Sequence, residues 1–256
     1  MNLRIGELSV EVSGGESPKF TAPLLLLHGL WHTAAVWRRW SGFLAHRGWA
    51  CYALNWRDCD GAAAASSLLE IEREIRRVIA ALPAQPVVIG HDVGALLALR
   101  TATIARAAVA LAPIVPRPFS DTPARLLRPA LGFGRTIRAP RGARGRAYFG
   151  EPLDADTRES VVLLRTLVRD AIDIAPTATP TLVVAGSADA FVAQADVARL
   201  AQHVGAVLQM DPDAGHALHV ERGWERRVGD VHRWIVQTLG DPLLALREES
   251  QETDDA

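Results

Sequence analysis

Apolar positions along the chain fall into two alternating rhythms. Residues 3–12 set Leu3, Ile5, Leu8, Val10 and Val12 between polar neighbours, the two-residue period of a half-buried edge strand or hairpin, and Gly14-Gly15 break it. Residues 23–27 read Pro-Leu-Leu-Leu-Leu, the continuous apolar run of a strand buried on both faces. A helix is predicted over 35–47 and a strand over 49–54. Across 67–82, Leu68, Leu69, Ile71, Ile75, Val78 and Ile79 recur with Glu and Arg between them, which predicts an amphipathic helix. Strand 86–90, helix 94–105 and strand 107–111 follow. After an interruption the rhythm resumes with strand 180–185, helix 192–203, strand 206–210 and helix 219–239. Strands alternating with helices predict an α/β fold, a mostly parallel twisted sheet with helices on both faces.

The interruption begins at Pro113. Pro116, Pro118, Pro123, Pro129 and Pro140, with Gly132, Gly134, Gly142 and Gly145, disfavour regular elements, and a helical stretch is read over about 154–170. Residues 114–176 are therefore expected to form a cap inserted into a core of 1–113 and 177–246, with 247–256 a frayed acidic tail. Between residues 117 and 146 the cap holds Arg117, Arg125, Arg128, Arg135, Arg138, Arg141, Arg144 and Arg146, with Asp121 the only acid among them. That run reads as a solvated face or as an attraction for an anionic or carrier-bound substrate. Lys19 is the only lysine, so the arginines also reflect a compositional bias.

With 256 residues, 49% of them hydrophobic, one domain with an insertion can bury a large core. A net charge of −1 carries no signature of a nucleic-acid partner. No apolar run is long enough to span a bilayer, and the first residues lack the basic and apolar regions of a signal peptide, so a cytoplasmic protein is expected. Cys51 lies in an apolar run and Cys59 in a polar turn, and they are not expected to pair. Neither a cofactor nor a metal site is expected.

The chemistry concentrates at Gly90-His91-Asp92-Val93-Gly94, between the apolar runs Val87-Val88-Ile89 and Ala95-Leu96-Leu97. Strand, sharp turn and helix with flanking glycines have the form of a nucleophile elbow, with aspartate where serine is usual. A serine there makes an acyl-enzyme; a carboxylate attacks an alkyl carbon and becomes an alkyl ester. His28-Gly29-Leu30-Trp31 directly follows a buried strand, and the amides of Leu30 and Val93 are the candidate oxyanion donors. Asp189 follows another strand, where ligands of open α/β sheets bind, and is preferred over the rival acids Asp58 and Asp60. His216 lies between the last strand and the last helix, so nucleophile, acid and histidine come in this fold's order.

Together, His28-Gly29, Gly90-His91-Asp92-Val93-Gly94, Asp189 and Gly215-His216 resemble the α/β-hydrolase superfamily over nearly the whole chain. The elbow aspartate is similar to the epoxide hydrolase and haloalkane dehalogenase branch. The segments His28-Gly29-Leu30-Trp31-His32 and Gly215-His216-Ala217-Leu218 look more like small serine esterases. The resemblance implies an Asp92–His216–Asp189 triad that acts without cofactor on a small organic molecule.

Epoxide hydrolases of this branch use cap tyrosines as acids and a proline after His-Gly-x; here the tyrosines are Tyr52, in a strand, and Tyr148, in the cap, and Trp31 replaces the proline. Dehalogenases carry an indole after the nucleophile, where this chain has Val93. Trp31, Tyr148 and His91 are the candidate substrate-binding or acid residues, His91 also reading as a buttress of the elbow. The sequence favours epoxide opening. A dehalogenase-like hydrolase, a lyase, cyclase or isomerase using Asp92 as acid or base, and a binding protein without chemistry are the other readings.

Overall fold

A computed structural model of the chain describes residues 1–5, 8–14, 18–56, 67–120, 134–151, 153 and 157–240. The amino-terminal alternation folds as an antiparallel hairpin, β1 (Asn2–Ile5) and β2 (Leu8–Ser13). The strands β3 (Leu24–Leu27), β4 (Cys51–Asn55), β5 (Val87–His91), β6 (Ala107–Leu111), β9 (Thr181–Gly186) and β10 (Val207–Asp211) complete an eight-stranded sheet in the order β1-β2-β4-β3-β5-β6-β9-β10. Only the β1–β2 and β2–β4 pairs are antiparallel. The predicted α/β fold is thus observed.

The unbroken apolar strands make sense once the two faces are separated. Leu24, Leu26, Val87, Ile89, Val109, Leu182 and Val184 pack with Trp37, Trp40 and Leu44 on and beside α1 (Arg38–His46), and with Val228, Val231 and Ile235 of α7 (Trp224–Leu239). Leu25, Leu27, Val88, Ala110, Val183 and Ala185 face the other way. They meet α2 (Leu68–Ala81), α3 (Val93–Thr101) and α6 (Gln194–Val204). Alternate side chains of one strand serve two cores, so every position must be apolar. Burying each such leucine is worth about 1.5–3 kcal/mol. Helix α3 is buried almost all round and apolar almost all round. The amphipathic α2 starts from a capping box: the Ser67 side chain accepts from the Glu70 amide, and Glu70 accepts from the Ser67 amide at 2.7 Å.

Between β6 and β9 the chain leaves the sheet. The described part of this insertion is a two-stranded antiparallel ribbon, β7 (Thr136–Arg138) and β8 (Arg158–Ser160), with α4 (Gly142–Phe149) and α5 (Val161–Arg169). Tyr148, Phe149, Leu163, Leu164 and Leu167 join the core on the α2/α3 face. The helix read over 154–170 starts only at Val161, because the Ser160 side chain accepts from the Leu163 amide and caps it, while the residues just before it extend into β8. The last helix likewise starts at Trp224, after Gly223 at φ 87°. The Cys59, Asp58 and Asp60 readings, Arg125 and Arg128, and the acidic tail lie outside the described residues. No helix among the described residues is long and apolar enough to cross a membrane.

Candidate active site

The elbow between β5 and α3 is made by what glycine leaves out. A Cβ at Gly90 would lie 2.0 Å from the Gly94 carbonyl oxygen, and one at Gly94 would lie 2.3 Å from that of Leu27. Strand and helix approach too closely for any side chain at either position. Between them Asp92 takes φ 58° and ψ −117°, a conformation that costs about 1–3 kcal/mol and marks functional turns. At Gly29 a Cβ would fall 2.9 Å from Asp92 Oδ2, so this third glycine makes room for the carboxylate itself.

The parallel strands end around this carboxylate and bring their loops together. The Leu30 amide, after β3, donates to Asp92 Oδ2 at 2.7 Å. His216, after β10, donates from Nδ1 to Asp189 Oδ2 at 2.9 Å and sets Nε2 3.5 Å from Asp92 Oδ1, the spacing of an ion pair and not of a made hydrogen bond. Asp189, after β9, is fixed through Oδ1, which accepts from the amides of Phe191 at 2.7 Å and Val192 at 3.0 Å. It therefore shapes its own turn and orients the imidazole with different oxygens. From α4 the Tyr148 hydroxyl donates to Asp92 Oδ1 at 2.8 Å. Val93 is the first residue of α3; among the described residues its amide makes no hydrogen bond to Asp92 and is one of the open N–H groups of a helix start.

These groups hold one another's charge. Burial opposes charge on Asp92, but His216 and the Leu30 amide outweigh it and keep its carboxyl below the ordinary range. Asp189 behaves likewise, through His216 and its two backbone donors. Burial also opposes charge on His216, yet the two carboxylates raise it to about 10. Tyr148 is pushed well above a normal phenol, first by burial and then by the negative charge of Asp92, Asp189 and Glu159. The resting site is thus a carboxylate, an imidazolium and a neutral phenol.

Two candidates, Trp31 and His91, have their ring N–H groups bonded to backbone carbonyls. Trp31 turns its indole N–H to the Ile137 carbonyl at 3.3 Å, so it is not a donor facing Asp92, although its ring meets that of Tyr148 edge-on at 6.0 Å. His91 is fully buried and its Nε2 donates to the His216 carbonyl at 2.9 Å, which ties the His216 loop to the elbow in the manner of a buttress. Reading the sequence missed Glu159: 2% exposed, it accepts from the Trp31 amide at 2.8 Å. The only signal for it was Ser160 ahead of the run Val161–Leu164, which marks a helix start and so an extended residue before it.

Among the described residues, one group offers three ligands of the kind a metal binds: His32, His91 and His219, all buried, with one ring nitrogen each within 4.8 Å of one another. The rings of His91 and His219 pack in a tilted arrangement, with centroids 4.0 Å apart and planes inclined by 39°. Trp37 is fully buried against His219 and Trp40. Cys51 is a buried free thiol, its ionisation pushed up to about 12 by burial. Of the arginines between β6 and β9, Arg117, Arg135, Arg138, Arg141, Arg144 and Arg146 are exposed.

An elbow at the end of a central parallel strand, with a carboxylate and a histidine after the last two strands of the sheet, defines the α/β-hydrolase class of fold. A family model described as the alpha/beta hydrolase family matches residues 24–229, and the chain belongs to that family. No curated protein matches its sequence. Solved structures similar to it include a monoacylglycerol lipase of Paleococcus ferrophilus, at 20% identity over 91% of this chain and 99% of that one, with a TM-score of 0.67. Est1E of Butyrivibrio proteoclasticus, bound to ferulic acid, is 15% identical over 93% and 99% of the two chains, with a TM-score of 0.66. The esterase RhEst1 of Rhodococcus sp. ECU1013 is 17% identical over 91% and 95%, with a TM-score of 0.66. At these identities the likeness is one of fold. Family membership supports a hydrolase; the kind of hydrolase rests on the site.

Proposed function

We propose that the protein is a cofactor-independent hydrolase in which Asp92 is the nucleophile, and that it opens epoxides of small or medium organic molecules. One observation carries the reading: the two oxygens of Asp92 have different partners. Oδ2 sits on the Leu30 amide, as the carbonyl oxygen of an ester intermediate must, while Oδ1 faces Tyr148 and His216. An electrophilic carbon at Oδ1 would meet the nucleophile and an O–H acid at once. Trp31 points to Ile137, so a paired indole cradle for halide lacks support, and a phenol suits an epoxide oxygen.

The steps balance. Oδ1 bonds to the epoxide carbon, the C–O bond breaks, and the departing oxygen takes the Tyr148 proton. The phenolate recovers a proton from the His216 imidazolium, whose ring packs on that of Tyr148 with centroids 4.6 Å apart. Alkylation has by then neutralised Asp92, removing one of the charges that hold that proton. Neutral His216, oriented by Asp189, next takes a proton from water as hydroxide adds to the ester carbon. The oxyanion on Oδ2 is held by Leu30, with Val93 as second donor. Collapse expels the diol, which takes the carboxyl proton, and restores Asp92.

The collapse leaves a solvent oxygen on Asp92. Turnover of styrene oxide, an aryl terminal epoxide, in ¹⁸O-water is expected to label the Asp92 peptide, read by mass spectrometry; an unlabelled carboxylate after many turnovers rules out the ester route. Tyr148→Phe is expected to slow formation of the alkyl-enzyme about 10²-fold or more, the usual worth of a positioned acid. Equal rates in the two proteins would remove Tyr148 from the reaction.

A further inference from the structure

We infer that the ribbon β7–β8 is a clamp on the loop carrying the oxyanion donor, with Glu159 as its positioning residue. Leu30 and Trp31 offer two consecutive amides, and two carboxylates from different parts of the chain take one each. Asp92 accepts from Leu30 at 2.7 Å and Glu159 Oε2 from Trp31 at 2.8 Å. Trp31 is also held by its side chain, since the indole N–H donates to the Ile137 carbonyl at 3.3 Å. Ile137 and Glu159 are directly opposed residues of the ribbon, so its two strands grip the backbone and the side chain of a single residue. Glu159 is itself fixed, its Oε1 accepting from the Ser160 amide at 2.9 Å.

The loop needs such a hold. Trp31 has φ 59°, a left-handed backbone that a bulky side chain adopts at a cost. Were the turn to relax, the adjoining Leu30 amide would swing off Asp92. A buried carboxylate is itself expensive unless hydrogen-bonded, and a buried amide left without an acceptor costs about 1–3 kcal/mol. Placing Glu159 on Trp31 satisfies both, and it makes the insertion part of the oxyanion site. Glu159 bonds the Trp31 amide and not Asp92; beyond the charge it adds around Tyr148, its effect on catalysis passes through the peptide between Gly29 and Trp31.

The first test reads the loop and does not depend on the reaction. Hydrogen exchange at the Leu30 amide, followed by NMR, is expected to be at least ten-fold faster in Glu159→Ala than in the native protein. Glu159→Gln keeps an acceptor for Trp31 and is expected to restore protection. Leu30 protection unchanged in Glu159→Ala overturns the clamp. Should that variant not fold, Glu159→Asp draws the carboxylate back from the Trp31 amide while keeping its charge: a several-fold rise in Leu30 exchange supports the clamp, and an unchanged rate overturns it.

The second test rests on the Asp92 ester proposed above. In rapid-quench experiments with styrene oxide, Glu159→Ala is expected to break the alkyl-enzyme down about 10²-fold more slowly, the usual effect of losing an oxyanion donor, while forming it less than about five-fold more slowly. Loss of both steps in equal measure, or of neither, counts against the clamp. If no alkyl-enzyme forms even in His216→Ala, it is the Asp92 reading that fails, and the exchange measurement still decides the clamp.

Discussion

Asp92→Asn is expected to lower kcat by at least about 10⁴-fold with little change in KM, as loss of a nucleophile does in related triads. An amide oxygen is a poor nucleophile toward an alkyl carbon, and the groups around it are committed elsewhere: Tyr148 is a neutral phenol, and Asp189 is taken up by His216 Nδ1 and the Phe191 and Val192 amides. The substitution otherwise changes little. Asparagine, like aspartate, tolerates the positive φ of the elbow, and its carbonyl can keep the Leu30 amide at Oδ2. Its NH₂ group then faces Tyr148 and His216 where Oδ1 accepted, and the resulting mismatch is the main structural change. Steady-state kinetics check the result, with intact mass confirming that residue 92 has not deamidated back to aspartate. Activity within ten-fold of the native enzyme would show that Asp92 does not form the bond.

What could be read from the sequence follows from where each residue sits. Strands β3, β5, β6 and β9 are buried on both faces and appear as unbroken apolar runs, so their positions came within a residue or two of those observed. Asp92, Asp189 and His216 each sit just beyond such a run, and parallel strands deliver their ends to one edge of the sheet. The same geometry made Leu30 readable. The ribbon β7–β8 was not readable, because its three-residue strands are too short to show a period and lie among arginines and prolines. Its partner Trp31 looked like a donor to substrate for the same reason: only the ribbon's position shows that its N–H is already taken. The contact of His91 with His219, 128 positions apart in the chain, depends on two loops meeting and leaves no local pattern.

Those histidines predict acid lability. His91 and His219 are fully buried, and burial is the main reason both resist protonation, with the charge of His216 adding to it. His91 is lowered to about 4, even though Asp92, Asp189 and the His216 carbonyl favour its charged form, and His219 is lowered well below its ordinary value. On unfolding both return to about 6.5. Below that pH the unfolded chain binds protons that the folded chain refuses, so stability is present above pH 6.5 and lost on acidification. For His91 alone the loss is about 2 kcal/mol by pH 5, and His219 adds a loss of the same sign. His216 runs oppositely: raised to about 10, its stabilisation is complete below pH 6.5 and lost as the pH climbs through 10, so it gives no slope in the acid window. Asp92 and Asp189, held below their ordinary range, lose theirs only below about pH 4. Against a total of about 5–15 kcal/mol this is a large change. Urea midpoints are expected to fall between pH 7 and pH 5, and the fall should shrink in His219→Phe, which leaves one fewer imidazole to protonate. Midpoints equal at the two pH values would mean that these rings accept protons while folded.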